Sequence, residues 1–205
     1  MEKIKERYNY HCKTHTDINE HLPTLYAYAT KCTSILETGV RGCISSWALL
    51  YGLLNNGTTR KQLFLNDIHA CNIKELLESN SNLSSSVDIS NEWKNNLALD
   101  LKQSYDMVFI DTWHVYGQLK RELEKFAPLT NKYIVMHDTT VDEIYGETIR
   151  CGLNAERQSK ESGFTVDEIN CGLGKAIDEF LANHSEWRLL AKYTNNNGLT
   201  ILERV

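Results

Sequence analysis

The stretch Met107-Val108-Phe109-Ile110-Asp111-Thr112-Trp113-His114 decides the reading of this chain: a short apolar run stops at a carboxylate and, three residues on, reaches an imidazole. A second run does the same, with Tyr133-Ile134-Val135-Met136 ending in His137-Asp138. Short apolar runs of this kind suit strands buried on both faces, as in parallel sheets. If the two strands are neighbours, their terminal side chains converge at the carboxyl edge of one sheet, where open α/β sheets put their ligands. A metal-assisted active site is the first expectation.

Outward from these runs, strand and helix alternate. Residues 34–37 form a brief strand that enters Thr38-Gly39-Val40-Arg41-Gly42, after which Ile44, Trp47, Ala48, Tyr51 and Leu54 recur at helical spacing. Upstream, a polar N-terminal segment leads to a short helix near 23–31, so that 1–33 reads as a helical N-terminal segment. Downstream, Asn55-Asn56-Gly57 ends the helix and 62–66 gives a second strand that stops at Asp67. A helix carrying Ile73, Leu76 and Leu77 follows, then a Ser/Asn-rich loop over 79–86, a weak third strand over 87–89, and a helical stripe of Trp93, Leu97 and Leu101. Leu119, Leu123 and Phe126 mark the helix between the two diagnostic strands, and Pro128 punctuates its exit.

Residues 139–174 break this rhythm and read as an insertion that covers the substrate. Ala176, Ile177, Phe180 and Leu181 then share a helix face, and the runs 187–193 and 199–204 flank Asn195-Asn196-Asn197-Gly198, a strong hairpin signal. The expected fold is one α/β domain over 1–205: a mostly parallel sheet with helices on both faces, closed by a C-terminal antiparallel hairpin.

Composition narrows the function. The chain has 205 residues, 41% of them hydrophobic, enough for one sizeable core. A formal charge of -5 and no long Lys/Arg block argue against a nucleic-acid groove or an anionic membrane surface, so a small or neutral substrate fits better. No signal-like or membrane-spanning apolar run is visible, so a soluble, cytoplasmic protein is expected. The six cysteines, Cys12, Cys32, Cys43, Cys71, Cys151 and Cys171, form no CxxC pair and read as buried free thiols of a reducing compartment.

Several residues carry candidate chemistry. The glycines of 37–42 are spaced GxxG, not the GxGxxG of dinucleotide sites, which argues against a nicotinamide enzyme. They could admit a ligand to the backbone or serve a steric turn, and Glu37 could accept a hydrogen bond from an amino group. Asp67 could receive both hydroxyls of a ribose or cap a helix. His11, His15, His21, His69 and His184 lack comparable partners and read as surface or capping residues. Trp113 lines a pocket or packs.

Together, Glu37-Thr-Gly-x-x-Gly, Asp67, the segment YDMVFIDTWHVYGQLKRELEKFAP, IVMHDT and the closing GKAIDEFLANHSEWRLL…NNNGLTILER resemble class I S-adenosylmethionine-dependent methyltransferases. Within that class the chain resembles the metal-dependent sugar O-methyltransferases, the group of the macrolide-sugar enzymes and the cephalosporin hydroxylase-like proteins. The resemblance implies a Rossmann-like methyltransferase sheet. It also implies cofactor contacts from Glu37, Thr38, Gly39, Arg41, Gly42, Ser45, Asp67, Ile68, Ser90, Asp111 and Trp113, with Ser90 standing in for the usual acidic contact near the third strand. A divalent cation would fall to Asp111, His137 and Asp138. Oxygen ligands suit Mg²⁺, and a histidine among them also admits Mn²⁺.

Asp111 and His114 are the implied catalytic residues, His114 at the position of a general base. A sugar hydroxyl holds its proton far above neutral pH, so a bound cation and a neutral imidazole would both help it attack a sulfonium methyl group. The expected acceptor is a hydroxyl of a sugar or glycan, and a homo-oligomer is compatible with the chain. The alternatives are a catechol-type small-molecule O-methyltransferase and a cofactor-binding module without catalysis.

Overall fold

The computed structural model of the protein describes residues 1–84 and 86–205. Its centre is a seven-stranded sheet in the order β3-β2-β1-β4-β5-β7-β6. The strands are β1 (Ser34–Thr38), β2 (Gln62–Asp67), β3 (Asp88–Trp93), β4 (Tyr105–Ile110), β5 (Thr130–His137), β6 (Trp187–Tyr193) and β7 (Leu199–Arg204). The first five run parallel, and β7 inserts antiparallel between β5 and β6. The expected mostly parallel sheet with a closing hairpin is therefore present.

Alternation along the strands divides the core in two. Met107 and Phe109 of β4 point into one layer with helices α2 (Leu22–Ala29) and α3 (Ile44–Asn55). Val108 and Ile110 point into the other, against α5 (Tyr116–Phe126) and α9 (Leu173–Asn183). All of β4 is buried, and from Met107 to Ile110 its sequence is apolar without a polar face. In α5, Leu119, Leu123 and Phe126 fall on one face, and burying each contributes about 1.5–3 kcal/mol.

The N-terminal segment is helical as expected, with α1 (Glu2–Lys13) anchored by the fully buried Ile4. Several other local expectations are corrected. Helix α4 (Lys74–Ser81) takes in residues 79–81, where a loop was expected; Ser85 of that stretch lies outside the described residues. The buried Asn80 acts as a substitute strand, donating to Val87 O at 2.7 Å and accepting from Val87 N at 2.9 Å.

The third strand runs on to Trp93, and a short 3₁₀ turn, Asn96–Ala98, replaces the helical stripe. At the sheet edge β3 has only one neighbour and needs no continuous apolar run. Its end is pinned by the Asn66 amide, which donates to Glu92 O at 2.8 Å and Lys94 O at 2.9 Å. Residues 139–174 hold α6 (Glu147–Arg150), α7 (Ala155–Ser162) and α8 (Val166–Asn170). All six cysteines are free; Cys32 and Cys43 are buried as expected, whereas Cys151 is exposed.

Sequence order reverses between β1 and β4, and there the two chains touch as they leave the sheet. Asp111 N donates to Thr38 O at 2.9 Å and Gly39 N to Asn66 O at 2.8 Å, so the ladder continues past the strand ends. Gly39 has φ +90°, and a Cβ there would lie 1.7 Å from the Asp111 carbonyl oxygen. Gly42 is different: its nearest neighbour is Ile44 Cγ1 at 3.9 Å. Gly39→Ala is therefore expected to lose about 3 kcal/mol or more in urea unfolding, combining strain with a backbone clash. Gly42→Ala should stay within about 1 kcal/mol of the parent.

Candidate active site

A cleft of about 640 Å³ opens at the carboxyl edge, within the range of small-molecule sites. Gly39, Arg41, Asp67 and Ile68 line one side, Asp111, Trp113 and His114 another. Glu147, Glu161, Ser162 and Phe164, from the segment expected to cover the substrate, also contribute to its wall. Asp67 accepts from Arg41 N at 2.9 Å and His69 N at 3.0 Å, so this carboxylate shapes the glycine turn as well as facing the cleft.

Below the cleft wall lies a dense charge cluster. His114 places Nε2 3.2 Å from Asp111 Oδ1, and Nδ1 3.1 Å from Asp138 Oδ2 and 3.4 Å from Asp142 Oδ2. His137 sets Nδ1 3.4 Å from Asp111 Oδ1 while its Nε2 donates to Asp17 O at 3.0 Å. Arg150 holds the fully buried Asp142 through two hydrogen bonds of 2.6 and 2.8 Å. Asp138, just past β5, sits in the left-handed region at φ 58°, a strained conformation of the kind that clusters at functional sites.

The charges shift one another. Burial works to raise the Asp111 carboxyl, but hydrogen bonds from His114 and His137 win and hold it well below the carboxylate range. Burial works to lower both histidines, and the surrounding aspartates outweigh it: His114 rises well above its ordinary value and His137 to about 10.

The donor set fits a divalent cation. Ligand atoms of Asp111, His114 and Asp138 all lie within 4.8 Å of one another. His114 Nδ1 and Asp138 Oδ1 are buried without a hydrogen-bond partner. An imidazole nitrogen and a carboxylate oxygen 3.1 Å apart need a proton or a cation between them. Among the described residues, the carboxylates of Asp111, Asp138, Asp142 and Glu147 face only His114, His137 and Arg150 as positive partners within 4 Å.

No protein-family model matches the chain, and no curated protein sequence does. Solved structures do match in shape. The Bacillus cereus O-methyltransferase in complex with SAH superimposes with a TM-score of 0.60 at 15% identity, over 100% of this chain and 90% of that one. The O-methyltransferase TomG of Streptomyces achromogenes, involved in tomaymycin synthesis and solved with SAM, gives 0.58 at 13% identity over 100% and 90%. The N-methyltransferase NodS of Bradyrhizobium japonicum gives 0.56 at 10% identity over 92% and 96%.

The chain has a Rossmann-like methyltransferase fold. Because O- and N-methyltransferases share this fold, it leaves the acceptor atom to be argued from the site.

Of the residues singled out in sequence, the cleft brings together Gly39, Arg41, Asp67, Ile68, Asp111, Trp113 and His114. Thr38, Gly42, Ser45 and Ser90 lie elsewhere. Thr38 is fully buried and donates to Phe109 O at 3.2 Å, and Gly42 is exposed beside the turn. Ser90 is exposed in mid-strand, five residues before Asn95, where the following loop reaches the cleft through Asn95, Asn96 and Leu97. Asn95 and Asn96, polar residues after a weak strand, carry no periodic signal, and Leu97 enters the cleft from a 3₁₀ turn, not from the expected helical stripe. His137 and Asp138 are buried just beneath. His21, expected at the surface, is also buried, with Nε2 2.9 Å from Asn195 O. Among the described residues, no helix is long and apolar enough to cross a membrane.

Glu37 does not face the cleft. It is fully buried, accepts a hydrogen bond from Ser45, and burial pushes its carboxyl up to about 7. A raised folded-state value means the folded chain holds this proton longer than the unfolded chain, so Glu37 costs stability as pH rises from 4.5 to 7. The stability of Glu37→Gln relative to wild type should therefore climb by about 3 kcal/mol across that interval and then level off, read by urea unfolding at a series of pH values.

Proposed function

We propose that the protein is an S-adenosylmethionine-dependent O-methyltransferase, assisted by a divalent cation, acting on a hydroxyl of a sugar or glycan. The observation that carries this reading is one cleft that joins the glycine turn and Asp67 to Asp111 and His114. The methyltransferase fold and the SAM- or SAH-bound neighbours support the cofactor assignment.

S-adenosylmethionine would supply an electrophilic methyl group on sulfur, and the cation would supply charge that lowers the pKa of the acceptor hydroxyl. Asp111 and Asp138 would hold the ion, with an imidazole completing the set. Of the two histidines, His114 offers a buried nitrogen without a hydrogen-bond partner, whereas both ring nitrogens of His137 already face Asp17 O and Asp111.

Asp67 orients ribose hydroxyls from its remaining lone pairs, since each carboxylate oxygen can accept more than one hydrogen bond. With Nδ1 on the ion and Nε2 3.2 Å from Asp111, His114 would have no nitrogen left to receive a hydroxyl proton, so its part would be to hold the cation at the cleft wall beside the acceptor. Glu147 and Glu161 present carboxylates to the same space, a lining suited to a neutral, hydroxyl-rich acceptor.

Release of S-adenosylhomocysteine is the direct measurement, made over a panel of sugars with catechols as comparison. Activity with a sugar should disappear with EDTA and return with Mg²⁺ or Mn²⁺. Asp111→Ala and His114→Ala should each lower turnover by about 100-fold or more. Full activity in Asp111→Ala rejects the metal role, and turnover of catechols alone rejects the acceptor.

A further inference from the structure

A second buried carboxylate lies behind the cleft. Glu122, on the inner face of α5, is 1% exposed and, among the described residues, has no positive side chain in hydrogen-bond contact. Three donors converge on its Oε1 instead: the Thr112 hydroxyl at 2.6 Å, the Gln118 amide nitrogen at 2.7 Å, and the Asn96 amide nitrogen. Burial pushes this carboxyl up, and the three hydrogen bonds oppose that rise. Asn96, Thr112 and Gln118 are all cleft-wall residues.

The network removes the usual freedom of an amide to flip. An ionised carboxylate only accepts, so both amide groups must turn their NH₂ toward Glu122. Gln118 gives its other proton to Asn96 Oδ1 at 3.0 Å, which spends both of its donors. What remains is Gln118 Oε1, which has no hydrogen bond among the described residues and is not among the sealed, partnerless atoms. The wall therefore offers an acceptor there. Leu97 and Trp113 flank it with apolar surface, and Phe164 stacks on Trp113 at 5.8 Å with the rings 10° apart.

We propose that Glu122 is a positioning residue that locks Gln118 as an acceptor, so that this end of the cleft selects a flat heteroaromatic ring carrying an exocyclic amino group. Given the cofactor reading above, on which this rests, that ring is the adenine of the adenosyl group.

The test compares binding of S-adenosylhomocysteine and S-inosylhomocysteine by calorimetry. The inosyl compound replaces the amino donor by a carbonyl acceptor, which would face Gln118 Oε1 acceptor to acceptor. Wild type should prefer the adenosyl compound by about tenfold or more, because a buried acceptor left unpaired is costly. In Glu122→Gln the new amide can accept or donate, Gln118 is released to turn, and the preference should fall to about threefold or less. Gln118→Met, which leaves the buried carboxylate in place, should lose the preference as well. It decides the matter should Glu122→Gln fail to fold.

A wild-type preference retained in either folded variant overturns the proposal. Wild type that binds both compounds equally overturns it while leaving the cofactor reading intact. Wild type that binds neither removes both.

Discussion

The backbone contact between Gly39 and Asp111 is the constraint on which the site depends. It closes the point where chain order reverses, so the glycine turn after β1 and the carboxylate after β4 hold one fixed separation. The cleft lies between two groups already positioned by the sheet, and ligand binding need not assemble them. The absent side chain at position 39 thus serves the protein's own main chain first.

Charge is concentrated at this edge under an arrangement that is only partly self-compensating. Carboxylates from β4, β5 and the segment beyond meet two imidazoles and one guanidinium in space largely closed to water. Like charges in such a setting destabilise the fold unless protons or a cation are shared among them. The left-handed backbone at Asp138 belongs to the same account. The chain holds a strained residue where its carboxylate is needed beside Asp111 and His114.

The parts of this design that were legible in sequence are those written in periodicity. Residues 107–110 and 133–136 announce buried parallel strands, and Asn197-Gly198 announces the hairpin, because burial and turn geometry each demand particular side chains. The edge strand β3 is legible only at its start, over 87–89, because one-sided pairing tolerates the Ser, Asn and Glu that carry it on to Trp93. The network of Asn96, Thr112, Gln118 and Glu122 escaped for another reason. Its members come from a loop, a strand end and a helix, and polar residues reveal a shared partner only once the sheet brings them together. Glu37 is legible as an acid at a strand end, whereas the Ser45 hydroxyl that α3 brings onto it is visible only in the fold.

The N-terminal strap adds a condition on how the protein comes into being. Asn196 donates to Thr16 O at 2.8 Å and accepts from Glu20 N at 3.0 Å, and His137 reaches Asp17 O beside them. Asp17 in turn grips Arg41 of the glycine turn at 2.7 Å. Residues at the start of the chain thus meet their partners about 180 positions later. The rim of the cleft cannot form until residue 196 has been made. Contacts so distant in sequence carry a large loop-closure entropy and tend to be made late. The sheet and the rim of the cleft therefore both wait on the same β6–β7 hairpin.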